Sequence, residues 1–102
     1  MIDKKQENFL IFLRLLSKKG FYEILKYVQG EKNVHYNQVK KYAIESGVVD
    51  SNASITIILN GLTHTGLLKR TVLDKKPVRT VYSLSPSGTE ILKKLKDLEK
   101  YF

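Results

Sequence analysis

The chain has 102 residues, no cysteine, and 18 lysines and arginines against 10 aspartates and glutamates, a formal net charge of +8. That length suits one domain with a modest core, and the missing thiols exclude disulfides, zinc–thiolate sites and cysteine redox sensing. The positive excess favours an anionic partner (nucleic acid, an anionic membrane surface or an acidic protein), against the general solubility that lysine also supplies.

No window holds 18 uncharged apolar residues, so no membrane span is expected. The opening MIDKKQENFLIFLRLL has an arginine inside its apolar part and no small-residue cleavage site after it, which makes it a helix rather than a signal peptide. A cytoplasmic location fits these features. Asp3 can cap that helix, which runs to about Lys18 with Glu7 near its positive end and Lys18-Lys19 at its negative end. Within it FLIFLRLL is apolar on nearly every side and calls for burial all round, against its own domain and a second copy. Phe9, Phe12, Leu13 and Leu16 are the candidates for that dimer contact.

Gly20 breaks the helix, and FYEILKYVQ forms a second one closed by Gly30, with Phe21, Ile24, Leu25 and Val28 facing inward. EKNVHY reads as a loop or a short edge strand. Asn37 suits the N-cap of a third helix ending at Gly47, with Val39, Tyr42, Ala43 and Ile44 inward and Lys40 and Lys41 outward. GVVD then turns the chain into Ser51, whose hydroxyl can accept an unpaired N–H of the next helix.

In SNASITIILNGLTHTGLLKR, residues 51–70, Ile55, Ile58, Leu59 and Leu62 recur at helical steps and predict one buried face. The other side carries Asn52, Ala53, Ser54, Thr56, Ile57 and Asn60, all small or uncharged. Gly66 stops the helix. LLKRTVLD and VRTVYSLS follow as two strands around Lys75-Lys76-Pro77, with Val78, Thr80, Tyr82 and Leu84 on one face. Without an Asn-Gly signal the tip is expected to be a longer loop. Ser85 caps a last helix with Pro86 at its first position. Its stripe is Ile91, Leu92, Leu95 and Leu98, and Lys93, Lys94, Lys96 and Lys100 make its wet face. Ile91, Leu95 and Leu98 join the dimer candidates.

The fold class is therefore mostly α with a small β-hairpin wing, in the order α-α-α-α-β-β-α, as one domain over 1–102. Residues 37–65 form a helix-turn-helix, 67–84 the wing, and 3–18 and 86–101 the helices available for dimerisation. Catalysis has little to stand on. His35, most simply a loop residue, and His64, most simply a partner for its helix dipole, share no metal-ligand spacing. No phosphate loop, nucleophile elbow, paired-acid motif or cofactor signature is present. No enzyme, cofactor or metal is expected.

A short helix with a mild polar face, running through glycine into a ribbon, is how a winged helix-turn-helix presents its recognition helix to double-stranded DNA. Asn52 and Asn60 can each pair with an adenine, Ser54 and Thr56 can contact bases or phosphates, and Ala53 and Ile57 can touch thymine methyls. That helix is uncharged before His64, so phosphate attraction must come from Lys40, Lys41, Lys69, Arg70, Lys75, Lys76 and Arg79 beside it. The alternatives are a winged-helix module that holds a protein partner, and a binder of anionic membranes or single strands. The second lacks stacking aromatics, since the tyrosines mostly fall at inward positions.

KKGFYEIL, VHYNQVKKYAIESG, LNGLTHTGLLKR and PVRTVYSLSPSG together resemble the winged helix-turn-helix regulators. The HxlR-type group is the nearest match, with MarR- and PadR-like regulators as near alternatives, over about Lys18 to Leu95. PVRTVYSLSPSGTEIL is the most specific piece. The resemblance implies a homodimeric transcription factor on a pseudo-palindromic operator, joined through its terminal helices. It places DNA contacts on Ser51, Asn52, Ser54, Thr56 and the wing from Lys75 to Arg79. The chain departs from the group in having no N-terminal sensing cysteine, and in carrying Ile57 and Ile58 where arginines are common. Any small-molecule effector is left open.

Overall fold

The computed structural model describes residues 3–74 and 79–102. Along them run α1 (Lys4–Leu16), α2 (Phe21–Glu31), β1 (Val34–His35), α3 (Tyr36–Glu45), α4 (Asn52–His64), β2 (Leu68–Leu73), β3 (Arg79–Leu84) and α5 (Pro86–Glu99). The strands form one antiparallel sheet in the order β1-β3-β2. The mostly helical class with a small wing holds, with one short strand added.

The helix starts follow from side-chain chemistry. Asp3 accepts the Gln6 N–H at 2.7 Å, Ser51 that of Ser54 at 3.3 Å and Ser85 that of Gly88 at 2.9 Å. Each hydrogen-bonds an otherwise unpaired donor and stabilises its helix by about 1 kcal/mol. Pro86 sits in the first turn of α5, where its missing N–H leaves nothing unpaired. At the far end of α4, Gly66 takes φ +82°, the left-handed conformation that turns the chain into the wing.

The core lies where α2, α3 and α4 converge on the sheet. Phe21, Ile24, Leu25, Val28, Val39, Ala43, Ile55, Ile58, Leu59 and Leu62 are buried there with Val34, Leu68 and Tyr82. Burying side chains of this size stabilises the fold by about 1.5–3 kcal/mol each, which offsets the entropy of ordering the chain. Ser85 then joins two elements at one oxygen: it caps α5 while donating to the Gly66 carbonyl at 2.5 Å. Beside it Gly88 lies so close to the Leu67 carbonyl that a Cβ would have no room. The end of α4 and the start of α5 are locked together.

Several boundaries differ from the sequence reading. Gly30 lies inside α2, and the turn falls at Lys32, with φ 69° and ψ −59° and Asn33 N–H bonded to the Glu31 carbonyl at 2.8 Å. That is a tight three-residue turn, strained for a residue with a Cβ. EKNVHY includes the edge strand, paired Val34↔Tyr82 and His35↔Val81. His35, not Asn37, precedes the third helix, and its N–H donates to Gln38 Oε1 at 2.7 Å. Ile44, assigned to the inward stripe, is 43% exposed because Val39 and Ala43 already define the buried face. Within this chain α1 is not enclosed: Leu15 is buried, but Phe9 is 56% and Leu13 43% exposed. Lys75, Lys76 and the Val78 position on the wing lie outside the described residues.

Candidate nucleic-acid interface

α4 is held from beneath by Ile55, Ile58, Leu59 and Leu62, all fully buried, so its opposite side must face outward. Asn52, Ala53, Thr56, Ile57 and Asn60 lie exposed on that side, with Ser51 exposed at the cap and Ser54 half-buried. Ser51 and Ser54 also share a hydroxyl–hydroxyl contact of 3.3 Å. The outer face thus presents amides, hydroxyls and two apolar groups, without charge. Such a surface can hydrogen-bond base edges and touch methyl groups, but it attracts phosphate only weakly.

Cations stand around it. Lys40 and Lys41 are exposed on α3 and line an open groove of about 510 Å³ together with Asn37, Ile44, Glu45 and Asn52. The groove brings the third helix's lysines beside the first residue of α4. Lys69, Arg70 and Arg79 are exposed on the ribbon. Among the described residues none of these five forms an ion pair; the pairs present are Lys19–Asp50 at 2.8 Å, Lys94–Glu90 and Lys100–Asp97. Asp50, next to the α4 cap, is therefore partly neutralised by Lys19.

The ribbon register separates cations that are adjacent in sequence. Lys69 faces Ser83 and Leu73 faces Arg79, so Lys69 and Arg79 share one face. Arg70 opposes Tyr82 and takes the other face, with Leu68 and Leu84. Single-residue alternation in a strand allows nothing else.

Two residues at this surface escaped the sequence reading. Asn37 is not a cap but an exposed side chain lining the groove opposite Asn52. Tyr36, half-buried, places its phenol oxygen 3.0 Å from Thr56 Oγ1. Its signal was its place with Val39 and Ala43 at i, i+3 and i+7, on the inward stripe of α3.

A second open surface lies on the terminal helices. Phe9, Leu13, Leu16 and Leu98 are 38–56% exposed, while Phe12, Ile91 and Leu95 are half-buried. A small apolar cavity of about 150 Å³ is lined by Asn8, Phe9 and Phe12 of α1 with Thr65, Leu67 and Ile91. Among the described residues no helix is long and apolar enough to cross a membrane.

A capped helix packed across α3, a left-handed glycine after it and a two-stranded ribbon define a winged helix-turn-helix of the transcriptional-regulator class. The chain belongs to the HxlR-like helix-turn-helix family, whose model matches residues 49–102. Solved structures share the fold. The reduced form of the transcriptional regulator YodB from B. subtilis superposes with TM-score 0.70 at 20% identity, over 99% of this chain and 91% of that one. A transcriptional regulator assigned to the MarR family from Porphyromonas gingivalis W83 gives 0.69 at 19%, over 99% and 94%. A PadR-family regulator from Clostridium difficile R20291 gives 0.66 at 16%, over 79% and 88%. No curated protein matches the chain by sequence.

Proposed function

We propose that the protein is a cytoplasmic transcriptional regulator that binds double-stranded DNA sequence-specifically as a homodimer, without catalysis or a cofactor. α4 enters the major groove and reads base edges through Asn52, Thr56, Asn60 and the hydroxyls at its start, with Ala53 and Ile57 toward thymine methyls. Lys40, Lys41, Lys69, Arg70 and Arg79 neutralise phosphate on either side, and Lys75 and Lys76 extend the same charge along the wing sequence. The observation that carries the reading is the uncharged, largely exposed outer face of α4, flanked by cations free of ion pairs among the described residues.

The dimer is supported by Phe9, Leu13, Leu16 and Leu98, apolar residues left open on the two terminal helices. A second copy covers such stripes and sets two recognition helices about one DNA turn apart. Residues 1–102 then act as one domain, with 37–65 as the reading unit, 67–84 as the wing, and 3–18 and 86–101 as the dimer helices. Selection of bound fragments from random DNA tests this. The expected result is a two-fold consensus with half-sites about 10 bp apart; recovery of no consensus from a pool that the protein does bind contradicts it.

A second reading follows from Ile57 at 51% and Ile44 at 43% exposure on the same surface. They suit a winged helix that holds a protein partner in a larger complex. A stoichiometric protein that co-purifies, with weak and sequence-blind DNA binding, favours that reading over the first.

A further inference from the structure

Thr56 differs from the other threonines of its helix region. Thr63 turns its hydroxyl back on the Leu59 carbonyl at 2.8 Å, and Thr65 does the same to Gly61 at 3.0 Å. This back-bonding is the ordinary resort of a helical threonine. Among the described residues Thr56 makes no such bond with Asn52; its oxygen meets the Tyr36 phenol at 3.0 Å instead.

Tyr36 is well placed to hold it there. Its ring packs half-buried against the core at the first position of α3. The chain just before it is pinned twice, by the pairing of His35 with Val81 and by the His35 N–H on Gln38 Oε1 at 2.7 Å. A phenol is a stronger acid than an alcohol, so Tyr36 is assigned as the donor and Thr56 Oγ1 as the acceptor. The Thr56 proton is then free to point outward, and donation into its oxygen polarises it further.

We propose that Tyr36 is a positioning residue for sequence recognition: its phenol keeps the Thr56 hydroxyl from folding back on α4 and sets it as a donor toward an acceptor on DNA. The role depends on α4 meeting DNA as proposed above. Removing the phenol oxygen leaves Thr56 the carbonyl of Asn52, and its proton is withdrawn from the exposed face. Tyr36→Phe should therefore act like Thr56→Val, although Tyr36 itself touches no base.

The test compares wild type, Tyr36→Phe, Thr56→Val and the double variant, each confirmed by circular dichroism to keep its helix content. Two duplexes of equal length serve as probes, one carrying the consensus that wild type selects from random DNA and one of random sequence. Each single change is expected to lower the consensus-to-random affinity ratio about fivefold. The double change should lower it by the same factor, not by the roughly 25-fold product that independent sites give. A ratio unchanged by Tyr36→Phe in a protein whose wild type discriminates overturns the positioning role alone. So does a product-like loss in the double variant, or an equal weakening on both duplexes, which marks a structural role. A wild type that shows no discrimination removes the DNA reading, and the role of Tyr36 with it.

Discussion

The outer face of α4 and the open stripe of α1 are both uncharged, yet they lack charge in different ways. On α4 the exposed groups are amides, hydroxyls and a methyl beside one isoleucine; on α1 they are Phe9, Leu13 and Leu16. The first surface is content in water, because its polar groups are solvated when nothing is bound. The second is not, since each of these side chains, about half exposed, forgoes about 1 kcal/mol that full burial would supply. A helix that needs no cover but keeps free polar groups suits an occasional partner. One that needs cover suits a permanent one. DNA fits the former and a second copy of the chain the latter.

The largest effect should come from breaking the proposed dimer contact. Changing Phe9 and Leu13 together to Asp places two charges in the apolar stripe while leaving α4 untouched. Sedimentation should show a monomer, and affinity for the consensus duplex should fall about 100-fold or more as the two half-sites cease to be linked. A variant that stays dimeric moves the interface elsewhere. Next, Gly88→Ala tests the joint between the two surfaces, since its Cβ would strike the Leu67 carbonyl behind the wing. Urea unfolding should show a loss of about 2–3 kcal/mol; an unchanged midpoint would mean that α5 docks with slack.

On the α4 side, Asn52→Ala should narrow the gap between consensus and random DNA by about 1–3 kcal/mol, with stability unaltered because the side chain is exposed. Equal losses on both DNAs deny it a base contact. The smallest effects belong to the wing cations. Lys69→Ala and Arg79→Ala on one ribbon face, and Arg70→Ala on the other, should each make the salt slope shallower by about one. Titrations across salt sort the two faces, and a slope left unchanged by Arg70→Ala would confine phosphate contact to the face of Lys69 and Arg79.

Local chemistry made most of the fold legible. The stripe of Ile55, Ile58, Leu59 and Leu62, the caps Asp3, Ser51 and Ser85, and the left-handed Gly66 all depend on neighbours a few residues away. What escaped depends on distant ones. β1 is two residues long and exists because β3, almost fifty positions later, offers Tyr82 and Val81 as partners. That pairing places the start of α3 at Tyr36, so Asn37 only looked like a cap. Gly30 misled because the strained turn falls two residues on, at a lysine, where composition gives no sign. The polar outer face of α4 was readable from its period, but the bond between Tyr36 and Thr56 spans twenty residues and needed the fold. Lys69 and Arg70 read as one basic pair until the strand register placed them apart.

The central claim is a division of labour: an uncharged helix reads the groove while separate cations hold the backbone. The most direct test is the affinity of the wild-type protein for duplex DNA as salt is raised. With roughly four to eight phosphates contacted per dimer, the log–log slope should be about −4 to −7. A slope near zero, or no duplex binding at low salt, would contradict it.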